Sequence, residues 1–144
     1  MSERSAEDLL REARVVVQRG PFALAAWDPG AFDEIARGVA GVEGPVLLLR
    51  DDRETTALVR EQHLGGLPPP HAVERGFCLL TLDVVLEWSV VGVLALVTKA
   101  LCEAGIPSGA FAAYSRDHLL VPAARLNDAL KALGGLCNGV ATLP

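Results

Sequence analysis

Gly105-Ile106-Pro107-Ser108-Gly109-Ala110-Phe111-Ala112-Ala113-Tyr114-Ser115-Arg116-Asp117-His118-Leu119-Leu120-Val121 is the stretch that decides the fold. Gly105 stands where a left-handed residue ends a helix, and Ile106 is placed to fold back onto the last turn. Ala110 to Ser115 and His118 to Val121 read as two short strands joined by a tight polar turn. Upstream, Phe77 to Leu86 is rich in Leu, Val and Thr and reads as a strand. Ser89 then stands as a cap for a helix whose stripe is Leu94, Val97, Leu101 and Ala104, with Val93 and Ala100 beside it. Downstream, Pro122 opens a helix with Leu126, Ala129, Leu130 and Leu133 on one face, and Gly134-Gly135 stops it. Leu136 to Ala141 can supply a last short strand. The order is strand, helix, strand, strand, helix.

The same order is expected in the first half. Ala6 to Gln18 reads as a helix with Leu9, Leu10, Ala13, Val16 and Val17 on its apolar face, ended by Gly20-Pro21. Phe22 to Trp27 reads as a buried strand. Asp28-Pro29 is a helix start, and Phe32, Ile35, Ala36 and Val39 form the stripe of the helix that follows. Val46 to Leu49 and Thr55 to Val59 flank the charged turn Asp51-Asp52-Arg53-Glu54 and predict a hairpin. Gly65-Gly66-Leu67-Pro68-Pro69-Pro70-His71 cannot continue a helix or a central strand, so it reads as a connection. This gives two expected units, residues 1–66 and 72–144. The repetition is one of layout, with no clear residue-level repeat.

Composition narrows the function. Apolar residues are 51% of the 144 and charged residues 22%, which is a globular balance. A net charge of −5 without any cluster of Lys or Arg argues against nucleic-acid binding. The acidic start Met1 to Asp8 is unlike a signal peptide, and the apolar run Val90 to Val97 is far short of the ~20 residues that span a bilayer. Cys78, Cys102 and Cys137 are odd in number and far apart, so they read as reduced thiols of a cytoplasmic protein rather than as metal ligands. Ser115, Asp117 and His118 have the residue types of a hydrolase triad. Nearly contiguous in a hairpin, they point in different directions and cannot converge. No phosphate-cradling loop is present, and no catalytic residue, metal or cofactor is expected.

Gly92-Val93-Leu94-Ala95, Leu101-Cys102-Glu103-Ala104-Gly105-Ile106, Tyr114 and Asp117 through Leu120-Val121 together resemble the small bacterial tandem ACT-domain proteins, a pattern shared by CASTOR-type arginine sensors. The resemblance covers most of Glu74 to Leu133; residues 1–66 resemble that family only in layout, as an N-terminal helix plus a degenerate ACT-like unit. It implies an α+β fold of two ferredoxin-like units, with helices packed on antiparallel sheets. It also implies a non-catalytic sensor that binds a small molecule, usually an amino acid. Three departures stand out. Ala112-Ala113 replaces Ser-Thr, Arg116 replaces Thr, and His118 replaces an aromatic residue.

The resemblance puts the ligand near the loop between first strand and helix, against the start of a later strand. Val91, Gly92 and Val93 would present backbone to a carboxylate, since free N–H groups at a helix N-terminus favour anions. Asp117 would take an ammonium group. Ile106, Pro107 and Ser108 would line the side-chain end, with Tyr114 nearby. The competing readings are structural: Gly92 as a close-packing residue, Asp117 as a turn residue, Ile106 as a helix-end cap and Tyr114 as a half-buried strand residue. With no second domain for output, the expected partners are a second copy, through a free sheet edge, or another protein. The alternative function is a ligand-free dimerisation or protein-interaction module, its pocket filled by side chains such as Trp88.

Overall fold

The computed structural model describes residues 4–143. It is an α+β protein whose residues fall into two compact units, Gly20–Phe77 and the remainder, made of residues up to Arg19 with those from Cys78 onward. Each unit carries its own core.

In the unit Gly20–Phe77, β1 is the strand Phe22–Trp27, followed by helix α1 (Phe32–Val39) and the hairpin of β2 (Leu47–Arg50) and β3 (Thr55–Arg60). The hairpin turn is fixed by Asp51, whose Oδ1 accepts hydrogen bonds from the amides of Arg53 (2.8 Å) and Glu54 (3.0 Å). Pro29 stands at the first position of a short 3-10 turn before α1, but Asp28 makes no side-chain cap. A second 3-10 turn (Glu61–Gly66) leads into the proline connection, which is pinned where Trp27 Nε1 donates to the Pro68 carbonyl at 2.8 Å. Strand β4 (Ala72–Asp83) then pairs antiparallel with β1 through Ala72, Val73, Glu74 and Phe77. The order is β2-β3-β1-β4, and Ala25, Trp27, Ile35, Val39 and Val59 form the buried core.

Strand β4 begins earlier than Phe77, where the sequence places it. Its first residues, Ala72 to Gly76, are exposed and show no alternation of apolar and polar side chains, so periodicity does not reveal them. From Cys78 onward β4 belongs to the other unit, and one strand serves as the last of the first unit and the first of the second.

In that unit, the first residues form helix α2 (Ala6–Glu12), opened by a reciprocal cap between Ser5 and Asp8. The helix does not continue to Gln18. Ala13 takes an extended conformation and Arg14–Val17 form a strand, here β5. Three consecutive valines prefer the pleated surface, where β-branched side chains are not crowded by a preceding turn. β5 pairs antiparallel with β4, Val15 opposite Leu82 and Val17 opposite Leu80. Its other side pairs in parallel with β6, the strand Val140–Thr142, so the last strand foreseen after Leu133 forms on β5. The helix and strand before Arg19 thus lie in the same compact unit as the second-half elements, whereas the sequence groups them with residues 1–66.

Helix α3 (Val93–Glu103) follows β4, then come the hairpin of β7 (Gly109–Ala112) and β8 (Asp117–Pro122), and helix α4 (Leu126–Leu133). The order is β7-β8-β4-β5-β6. Leu10 of α2, Val97 and Leu101 of α3 and Leu133 of α4 are fully buried with Leu80, Leu82, Leu119 and Val121 of the strands. α3 ends as the sequence predicts: Gly105 has φ +71°, the Ile106 amide bonds the Leu101 carbonyl at 3.0 Å, and Ile106 is buried. Its start differs. Ser89 is not the cap; a turn closed by Val90 N–H to the Glu87 carbonyl (3.1 Å) intervenes, and Gly92 at φ +100° is the cap residue, with no side-chain hydrogen bond.

Candidate functional site

The loop from Val84 to Val91, the first turn of α3 and the tip of the β7–β8 hairpin line an open cavity of about 410 Å3. From the loop come Leu86, Glu87, Trp88, Val90 and Val91. The helix start gives Gly92, Val93, Leu94 and Ala95, and the hairpin gives Ala112, Ala113, Tyr114 and Asp117. The volume lies in the range of sites for small molecules, roughly 300–1,000 Å3.

Two ties hold the loop against the hairpin. The Leu86 amide donates to the Ser115 carbonyl at 2.8 Å, and Arg116 Nε meets Asp83 Oδ1 at 2.9 Å. Arg116 therefore fastens the hairpin tip to the end of β4. His118 Nδ1 lies 2.8 Å from Thr81 Oγ1, which accepts from Gln18 Nε2 at 3.0 Å. The chain of three side chains joins β8, β4 and the residue after β5, and fixes the backbone from which Asp117 projects.

The electrostatics of the cavity are one-signed. Among the described residues Glu87 and Asp117 are its only carboxylates, and no Lys, Arg or His lines it. Burial raises the pKa of Asp117 above the ordinary 3.8, with the neighbouring His118 pulling the other way. Among the described residues no side chain or amide donates a hydrogen bond to its carboxylate. Opposite it, Gly92 caps α3 without a side chain, and the Leu96 amide is the first to bond back into the helix, to the Gly92 carbonyl at 3.0 Å. The amides of Val93, Leu94 and Ala95 at the helix start therefore have no intrahelical partner, and the helix dipole makes that end positive.

Of the residues the sequence singles out, Val91, Gly92, Val93, Tyr114 and Asp117 are brought together on this cavity. Ile106, Pro107 and Ser108 do not line it. Ile106 is consumed by the end of α3, packed in the core, and Pro107 and Ser108 stay exposed beyond it. Sequence reasoning missed the loop wall, Leu86, Glu87 and Val90, and placed Trp88 in the pocket only under the alternative of a ligand-free module. Trp88 is 80% exposed and leaves the cavity open. The available signal was a loop unusually rich in apolar residues between strand and helix. Ser115, Asp117 and His118 do not converge: the Ser115 hydroxyl accepts from Arg116, and the imidazole is held by Thr81.

Residues 72–134, which carry α3, the hairpin, α4 and most of the cavity, match the family model of the ACT domain. The architecture is that of the ferredoxin-like ACT units in regulatory subunits of aspartate kinase. The ligand-free regulatory subunit from Thermus thermophilus superposes with a TM-score of 0.68 at 14% identity, covering 88% of this chain and 98% of that one. Protein Atu0741 from Agobacterium tumefaciens gives 0.73 at 17% identity, with 92% and 95% covered. The Vibrio cholerae protein VC0802, described as of unknown function and a possible transport protein, gives 0.71 at 28% identity, with 93% and 97% covered. Among curated proteins none matches the chain in sequence.

Proposed function

We propose that this protein is a non-catalytic regulatory sensor that binds an amino acid in the cavity at the start of α3 and passes that state to a second copy of itself or to another protein in the cytoplasm. The observation that carries the reading is the pairing, across one cavity, of unpartnered helix amides with an unpartnered, half-buried carboxylate. An α-amino acid has the complementary pair of charges. Its carboxylate would sit at the amides of Val93 to Ala95, and its ammonium group would meet Asp117 in a charge-assisted contact. The ACT-domain match over residues 72–134 supports the same reading. No cofactor or metal is needed for it.

Thermal unfolding of the purified protein against the common amino acids tests it. Binding to the folded state alone stabilises by about 2.7 kcal/mol at a hundredfold excess over Kd. The expected result is a selective rise in Tm that Asp117→Ala removes. One observation favours a second reading, assembly without a ligand: Trp88, Val91 and Tyr114 are 80%, 88% and 91% exposed on the cavity rim. A flat amino-acid panel combined with concentration-dependent self-association that Trp88→Ala weakens would establish assembly instead.

A further inference from the structure

If the cavity at the start of α3 binds an amino acid, its walls also state which kind. An amino acid anchored by the α3 amides and Asp117 leaves its side chain facing the rest of the lining. That lining is Leu86, Val90, Val91 and Leu94, with the aromatic rings of Trp88 and Tyr114 at the rim. On the hairpin side, Ala112 and Ala113 present methyl groups where hydroxyls would have offered hydrogen bonds. From these surroundings we infer that the site selects amino acids with apolar side chains, branched aliphatic or aromatic, over those whose side chains carry a charge or a hydroxyl.

The selection has a separate physical reason for each rejected class. An acidic side chain would enter a cavity to which the described residues bring no cationic side chain and already bring Glu87 and Asp117, so it meets repulsion and loses its water. A hydroxyl or amide finds no side-chain partner on Leu86, Val90, Leu94, Ala112 or Ala113 and gives up hydrogen bonds to water wherever it lies against that wall. A basic side chain has one counter-charge, Glu87. That carboxylate is exposed, and an ion pair in water gains little against the loss of hydration along an apolar wall. An aliphatic or aromatic side chain gains by removing its own surface and the rings of Trp88 and Tyr114 from water.

The test is calorimetric titration of the full chain with leucine, phenylalanine, serine, glutamate and lysine, read beside tryptophan fluorescence. The chain has two tryptophans; Trp27 is buried at 4% exposure and Trp88 is exposed, so a blue shift on binding reports Trp88. Leucine or phenylalanine is expected to bind roughly tenfold or more tighter than the other three, as small differences in buried apolar area produce. The blue shift should vanish in Trp88→Phe, and Trp88→Ala should narrow the gap between leucine and serine. Tightest binding of lysine, glutamate or serine would overturn the apolar selection while leaving an amino-acid sensor standing. Absence of binding by all five, together with a flat panel of the remaining amino acids, would overturn the sensor itself.

Discussion

Asp117 and His118 are adjacent, yet they do different work. One faces the cavity without a partner; the other is held by Thr81 and Gln18. Burial pushes the His118 pKa below the ordinary 6.5, against the pull of Asp117 and with the help of Arg116. The folded protein therefore takes up this proton less readily than the unfolded chain. As pH falls below 6.5 the unfolded state binds the proton first, so stability declines from there until the lower folded-state pKa is passed. Asp117 works in the opposite sense: its raised folded-state pKa means stability is lost as pH rises from 3.8, a window that opens well below that of the histidine. Thermal unfolding from about pH 8 to about pH 5.5 should show a decline in Tm for the native chain that is smaller in His118→Gln, whose amide can still meet Thr81. An identical slope in the two proteins would refute the assignment to His118.

Among the elements, α3 is the one most fully written in the chain. Its apolar stripe, its left-handed Gly105 and the return of Ile106 onto Leu101 are all present as residues before they are seen as geometry. No heavy atom lies within 4 Å of a Cβ built on Gly105, so alanine there meets no clash and pays only the left-handed backbone. Gly105→Ala is expected to destabilise by about 1 kcal/mol in denaturant unfolding, with the m-value unchanged. A cost near zero would mean that the last turn rearranges freely. The α2–β5 segment is the opposite case. Apolar residues from Leu9 to Val17 fit a helical face well enough to read as one helix, yet three valines in a row suit a strand. The helical period and the β-branched composition conflict, and the open edge of β4 decides between them by supplying hydrogen bonds to Arg14–Val17.

On the scale of the molecule, the two units are interleaved in sequence rather than strung end to end. The second unit needs the residues before Arg19: Leu10, Val15 and Val17 are part of its core, and β6 pairs only with β5 among the described strands. A fragment of residues 72–144 should therefore lack cooperative unfolding. A chain of residues 1–19 joined through Asn-Gly to 78–144 should fold. Val17 lies opposite Leu80 and the Gln18 amide bonds the Leu79 carbonyl at 2.9 Å, so β5 and β4 are already poised as a hairpin that a two-residue turn can close. Circular dichroism melts of these two shortened chains check this; cooperative unfolding of the 72–144 fragment would overturn it.

The sequence alone determined the α+β class, the hairpins, α1, α3 and α4, and it singled out Gly92 and Asp117, which the fold gathers on one cavity. These rest on local physics: apolar spacing, turn residues and helix ends act within a few positions of one another. Tertiary structure decided the rest. That Trp88 stands open at the rim, that Arg116 ties the hairpin to Asp83, and that β5 joins the second unit all depend on partners distant along the chain. A local pattern states which face of an element is apolar. Only the assembled sheet states what that face, or that edge, will meet.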